Sequence, residues 1–148
     1  MPISMDTAWN FFSSPLNLSK ITPADMKFVV TSDYTEQTTM YPGMLITYKV
    51  SPVLGIKLNW VTEITHVKDK EYFVDEQRFG PYALWHHEHH FKKINGGVHM
   101  TDLLTYAIGY GPIGGFANKL LVAKKVREIF SYREKAVIEL FGPYYKTA

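Results

Sequence analysis

The stretch Leu84 to Phe91, LWHHEHHF, sets four of the chain's six histidines and one glutamate in five consecutive positions. Imidazoles and carboxylates at that density can hold a divalent metal, exchange protons near neutral pH, or orient the polar end of a ligand. The zinc-protease signature needs His-Glu, two spacer residues and a second His on one helical face. Here His87-Glu88 is followed by His89, His90 and Phe91. On a strand, alternation instead sends Trp85, His87, His89 and Phe91 to one face and His86, Glu88, His90 and Lys92 to the other. The charged set belongs to water, so His86 and His90 are expected to be solvated. His87 and His89 can then take Asp75 or Asp102 as a third metal ligand, but two ligands without a fixed third specify no metal. Histidines hydrogen-bonded to buried polar neighbours are the commoner arrangement. No metal and no other cofactor is expected.

The elements that must place these side chains follow from periodicity and punctuation. Ser4 is a candidate N-cap, Asp6 suits the positive end of a first helical turn, and Met5, Ala8, Trp9 and Phe12 recur at helical spacing. A broken turn or second short helix over SSPLNLSKITP leads to a strand near Met26 to Ser32. Strands are then expected at 44–50, 56–67, 71–79, 82–93 and 98–107, separated by turn residues and paired antiparallel as a meander. A long helix runs from about Ile113 to Phe141, stopped by Gly142 and Pro143. Lys125, Glu128, Tyr132, Lys135 and Glu139 form its polar face. Phe116, Leu120, Val122, Val126, Ile129, Phe130, Val137, Ile138, Leu140 and Phe141 cover the remaining arc, together with Arg127, Arg133 and Glu134. The class is α+β, in a single domain over residues 1–148.

At 148 residues, a chain removes roughly two-thirds of its surface from water on folding. With 46% apolar and 15% aromatic residues, the composition is that of a globular domain with rings to spare for a core or a pocket. A net charge of +2 without like-charge runs gives no electrostatic footprint for nucleic acid. The absence of cysteine excludes disulfides, thiolate metal sites and a cysteine nucleophile. With no leader pattern and no long apolar window, a cytoplasmic protein without an integral membrane segment is expected.

Alternation also points Met44, Ile46 and Tyr48 inward, followed by Ile56, Leu58, Trp60 and Ile64. In the next strand Phe73, Asp75, Gln77 and Phe79 are the inner set, and in the last Met100, Asp102, Leu104 and Tyr106. The interior therefore gathers Asp75, Gln77, His87, His89, Asp102 and Tyr106 from the sheet and Arg133 from the helix. Two readings account for these polar groups. Arg133 or Arg127 can pair with an acidic residue and simply fix helix to sheet. Alternatively the helix stands off the sheet and leaves an apolar cavity with convergent polar groups, the usual construction of a small-molecule site. The wide apolar arc and the many aromatics favour the cavity.

The helix–meander–helix order, with FGPYALWHHEHHF, TDLLTYAIGYGPIGG and VREIFSYREKAV, resembles the SRPBCC superfamily, the helix-grip fold of START lipid-binding domains and the birch pollen allergen. More narrowly it resembles the bacterial ligand-binding branch labelled polyketide cyclase/dehydrase-like or "cell division inhibitor". Gly80, Pro81, Trp85, His87, His89, Phe91, Asp102, Tyr106, Phe130 and Arg133 stand at the positions this branch leads one to expect. The resemblance implies a curved antiparallel sheet wrapped around the C-terminal helix, enclosing a cavity for a hydrophobic or amphipathic molecule. The family fold opens with a strand ahead of the first helix, which MPISMDTAW lacks. The strands near 28–32 and 98–107 are therefore expected to carry unpaired edges, unless Met1 is not the natural start or a homodimer covers them.

Three functions compete. In the first, a binder or carrier grips an apolar ligand with Trp60, Trp85, Phe91 and Phe130, while His87, His89 and Arg133 orient its polar end. In the second, a cyclase or dehydratase uses His87 or His89, tuned by Asp75 or Asp102, to remove a proton beside a carbonyl, with Arg133 or Tyr106 stabilising the enolate. In the third, the domain is a protein-interaction or regulatory module, as the cell-division label on relatives suggests.

Overall fold

The computed structural model describes residues 1–35, 37–51, 56–109 and 115–145, with side chains in the last segment described from Leu121 onward. Helix α1 spans Met5–Phe12 and starts where Ser4 Oγ accepts a 3.1 Å hydrogen bond from the Thr7 amide. That bond satisfies one of the amides a helix start leaves free. Ala8, Trp9 and Phe12 form its buried face. Two 3₁₀ turns follow, Pro15–Ile21 and Ala24–Met26, and lead to β1, Val29–Val30. The expected strand near 26–32 is thus mostly irregular. Lys27 ends the second turn with φ of 45°, and past β1 the Thr31 and Ser32 amides both converge on Thr47 O while their hydroxyls contact the Thr47 hydroxyl.

Strands β2 (Met44–Val50), β3 (Leu58–Lys68), β4 (Tyr72–Phe79), β5 (Tyr82–Ile94) and β6 (Gly97–Ile108) complete an antiparallel meander in the order β1-β2-β3-β4-β5-β6. Helix α2, Gly115–Phe141, closes the chain's fold. This is the expected α+β helix-grip architecture: an open, curved six-stranded sheet with short N-terminal helices and one long C-terminal helix. Among the described residues no helix is long and apolar enough to cross a membrane.

Breaks in register account for the departures from simple alternation. Val61 pairs with Phe79 but Thr62 with Gln77, so Arg78 is an extra residue that turns Phe79 outward. Phe79, expected inside, is 61% exposed. Ile56 also departs from expectation: it lies before β3 and is 59% exposed. A second extra residue, Thr65, separates Ile64 from His66, and a third, Ala83, separates Tyr82 from Leu84. Such bulges bend and twist a sheet locally.

The long helix buries a narrower stripe than its sequence suggested. Val126 and Ala136 are buried and Ile129, Phe130, Arg133 and Val137 half-buried, whereas Arg127, Glu134, Ile138 and Leu140 face solvent. Lys125, placed on the polar face, instead reaches Asp25 at 2.7 Å. Ile113 lies outside the described residues, as do the side chains of Phe116 and Leu120.

Apolar packing divides into a cluster of α1, β4 to β6 and α2 residues around Trp9, Phe73 and Phe91, and a second around Met26, Val50 and Trp60. A third joins Met44, Ile46 and Ile64. Trp9 meets Phe91 and Phe73 edge-on, at ring separations of 5.4 and 6.0 Å. The edge of β6 is met at one point by the N-terminus: the Met1 amine donates to Val98 O and the Val98 amide donates to Met1 O, both at 2.9 Å. A side chain at Gly97 would strike Met1 O, with its Cβ at 2.1 Å.

Trp9→Ala should remove the ring that joins α1 to the sheet and lower the unfolding free energy by about 3–5 kcal/mol. Urea denaturation of the variant measures this; a loss below about 1 kcal/mol would mean that α1 does not anchor the core.

Candidate functional site

Antiparallel register assembles the polar centre. Asp75 on β4 stands opposite His87 on β5, and Asp102 on β6 stands opposite His89. Each carboxylate is thus directly across from one imidazole and diagonal to the other. Asp75 Oδ2 lies 2.9 Å from His89 Nε2 and 3.4 Å from His87 Nδ1. On the far side of the rings, Asp102 Oδ1 lies 2.7 Å from His89 Nδ1 and 3.4 Å from His87 Nε2. Arg133 Nη1 on α2 approaches Asp102 Oδ2 at 3.8 Å.

Both histidines are buried, 4% and 7% exposed, with ring centroids 3.8 Å apart. Apolar rings hold them. Phe73 stacks on His89 at 4.2 Å, and Phe130 presents its edge to His87 at 5.6 Å while the Arg133 guanidinium lies 5.1 Å from the Phe130 ring centre.

Of the close polar contacts, only His89 Nε2 to Asp75 has hydrogen-bond alignment. His87 Nε2, His89 Nδ1, Asp102 Oδ1 and Arg133 Nε are buried without an aligned partner among the described residues. Burial opposes ionisation of Asp75, yet the two histidines hold its carboxyl well below the usual carboxylate range. Asp102 is likewise depressed against its own burial, by the histidines and Arg133. Burial pulls the His87 pKa down, but Asp102 and Asp75 outweigh it and raise it above the ordinary histidine value.

Two small cavities flank this centre. One, of about 110 Å³, is walled by Phe11, Phe12, Leu18, Met40, Ile46, Ile64 and Phe73, with Asp75, His87, His89 and Arg133 as its polar side. The other, of about 100 Å³, is walled by Met26, Phe28, Val50, Trp60, Tyr82 and Ile129. Leu18, Tyr48, Trp85 and Arg133 border both. Tyr48 is fixed by a 2.5 Å hydrogen bond to Thr62, whose hydroxyl also accepts from Trp60 Nε1 at 3.0 Å. A wider open groove of about 590 Å³ runs between β6 and α2 past Asp102, Phe130 and Arg133, so Arg133 borders all three spaces.

The residues singled out from the sequence therefore separate into groups. Asp75, Trp85, His87, His89 and Arg133 meet at the first cavity, Trp60 lines the second, and Asp102 and Phe130 stand behind the histidines. Gln77 is engaged elsewhere: its amide donates to Tyr82 O at 2.7 Å and accepts from the Tyr82 amide at 3.2 Å, clamping the β4–β5 turn. Phe91 packs in the Trp9 core, and Tyr106 against Tyr82 and Trp85; neither lines these spaces. His86 and His90 occupy the outer face as expected, but paired with surface carboxylates, His86 with Glu76 and His90 with Glu88, each at 2.9 Å. Tyr82 and Thr62 went unnoticed in the sequence. The extra residue Ala83 reverses the phase of β5 ahead of Trp85, and a threonine between Trp60 and Ile64 gives no apolar signal.

As to metal, one ligand atom each from Asp75, His87 and His89 lie within 4.8 Å of one another.

No family model matches the chain, and no curated protein matches it. Solved structures do. Protein Ms6760 from Mycobacterium smegmatis superposes with a TM-score of 0.66 at 19% identity, covering 95% of this chain and 85% of that one. Protein CV1439 from Chromobacterium violaceum gives 0.68 at 13%, covering 97% and 94%. Ara h 8.0201 gives 0.57 at 14%, covering 93% and 92%. At these identities the likeness establishes the helix-grip fold and nothing finer.

The shifted groups set a pH dependence for protein kept metal-free with a chelator. Asp75 and Asp102, depressed by folding, contribute stability that is present above about pH 3.9 and lost as pH falls through their folded values. His87, raised by folding, contributes stability that is complete below about pH 6.5 and lost as pH rises through its folded value. The urea midpoint should therefore be lower at about pH 8.5 than at about pH 5.5, and His87→Gln should flatten that fall; a midpoint that climbs over the interval would contradict the assignment.

Proposed function

We propose that the protein binds a small hydrophobic or amphipathic molecule between its sheet and α2, as a carrier or sensor in the cytoplasm. The observation that carries this reading is an apolar cavity with polarity on one side, where Asp75, His87, His89 and Arg133 converge. Apolar walls supply affinity and a few placed polar groups supply orientation. The helix-grip fold, and the resemblance to ligand-binding SRPBCC domains of the polyketide cyclase-like or "cell division inhibitor" branch, support the same reading.

The dimensions narrow the ligand. Chambers of about 110 and 100 Å³ are each smaller than the roughly 300–1,000 Å³ of a drug-sized site. Each holds no more than about one ring, and a longer ligand must turn aside Trp85, Tyr48 or Arg133, which partition them. Arg133 Nε is buried without a partner among the described residues, so a carboxylate, phenolate or carbonyl oxygen is a complement for it. Such an oxygen would also relieve the long 3.8 Å pairing with Asp102 as the sole polar anchor of the guanidinium among the described residues.

A second reading is favoured by the 2.9 Å His89–Asp75 bond beside the cavity. An imidazole held by a carboxylate can take a proton from a bound carbonyl compound, as a cyclase or dehydratase requires. Turnover separates the two: a binder returns its ligand chemically unchanged with or without His89, whereas an enzyme converts it and loses that conversion in His89→Gln.

Calorimetric titration with a panel of fatty acids, sterols and aromatic acids should reveal an aromatic carboxylate ligand. Arg133→Met should weaken that ligand by about 1.5–3 kcal/mol, roughly 10- to 150-fold, and leave its neutral ester nearly unaffected. Failure of the folded protein to bind any member of the panel would overturn the binding reading.

A further inference from the structure

We infer that Asp75, His87 and His89 form the three-residue ligand set of a divalent transition-metal site, with Asp102 as the carboxylate that orients both imidazoles. The inference starts from a conflict among buried lone pairs. A neutral imidazole has one N–H and one lone pair. If His89 donates Nε2–H to Asp75, its Nδ1 lone pair sits 2.7 Å from Asp102 Oδ1, with both atoms buried and unpaired. His87 repeats the conflict at 3.4 Å through Nε2, which is also unpaired. Protonating both rings at both nitrogens would remove the clash but set two cations in rings 3.8 Å apart.

A metal ion on the Asp75 side removes the lone-pair conflict facing Asp102. His87 Nδ1, His89 Nε2 and Asp75 Oδ2 supply the ligand atoms. The remaining ring hydrogens then belong to His87 Nε2 and His89 Nδ1, the two nitrogens that face Asp102 Oδ1 and otherwise lack a partner. Metal-bound histidines characteristically donate their second N–H to a carboxylate in this way. The oxygen-to-nitrogen separations of 2.9 and 3.4 Å match the roughly 3 Å edges expected between ligands each about 2.0–2.2 Å from a metal. Two nitrogens and one oxygen suit zinc, cobalt, nickel, copper or iron rather than calcium or magnesium. The first cavity borders all three ligands, so its remaining coordination positions open toward bound water or a ligand oxygen.

The outer face supplies an internal control, since His86, Glu88 and His90 form a second, half-buried cluster on that side of the sheet. Chelator-stripped protein is titrated with Zn²⁺ by calorimetry and with Co²⁺ by visible absorption. Wild type and the His86→Ala/His90→Ala double variant should bind one equivalent alike. Asp75→Asn, with folding checked by circular dichroism, should lose the site, and Asp102→Asn should retain it with about 10- to 100-fold weaker affinity. Nitrogen-15 spectra of zinc-loaded wild-type imidazoles, which need no variant, should place single protons on His89 Nδ1 and His87 Nε2. Absence of one-equivalent binding, loss of binding in the outer-face double variant, or protons on the opposite ring nitrogens would each overturn the assignment.

Discussion

Two buried imidazoles and two half-buried carboxylates on the inner face of β4, β5 and β6 are the constraint around which the rest of this molecule is arranged. Charged groups of that kind persist away from water only when each has a partner, and here the partners come from three neighbouring strands. The β4–β5 ladder sets Asp75 against His87, and the β5–β6 ladder sets Asp102 against His89. A slip of one residue in either ladder would send one carboxylate to the outer face and strand the imidazoles. The apolar clusters on either side, around Trp9 and around Trp60, therefore do more than bury surface. Phe73 and Phe130 wall the histidines off from water, which strengthens every electrostatic contact between them.

Arg133 links this centre to the space around it. It lies 3.8 Å from Asp102, and it borders both small cavities and the wider groove along β6. A long, half-satisfied ion pair can be exchanged for a better one at little cost, because the guanidinium's unpaired Nε already carries the penalty of burial. A ligand oxygen delivered to this position would complete what the fold leaves incomplete. The partition of the cavity by Tyr48, Trp85 and Arg133 then serves selectivity, admitting flat, small groups more readily than bulky ones.

Much of this was legible in the sequence, and for identifiable reasons. Period-two alternation in LWHHEHHF correctly separated His87 and His89 from His86 and His90, because Glu88 and Lys92 label the wet face. The same rule placed Asp75 and Asp102 beside them. It failed at two of the extra residues: Phe79 was placed inside and Tyr82 passed over, since bulges at Arg78 and Ala83 leave no mark in the pattern of apolar residues. Gln77 was placed on the correct face, but its amide is used by the Tyr82 backbone, a local bond that alternation cannot foresee. Helical periodicity overestimated the buried arc of α2, because Ile138 and Leu140 look apolar yet are 44% and 48% exposed. Of the cavity walls, Leu18 and Met40 come from a 3₁₀ turn and a loop with no period to read, and Phe11 lies on α1 outside its buried stripe.

The three indole N–H groups of Trp9, Trp60 and Trp85 offer the most direct test of ligand binding between sheet and α2. They can be followed by two-dimensional NMR while naphthoate is added to the folded protein. Trp60 and Trp85 border the cavities, whereas Trp9 is buried in the core between α1 and the sheet. Saturable shifts of the Trp60 and Trp85 signals, with Trp9 unmoved, are the predicted result. Three unmoved indoles, or shifts shared equally by all three, would contradict a ligand site at this position.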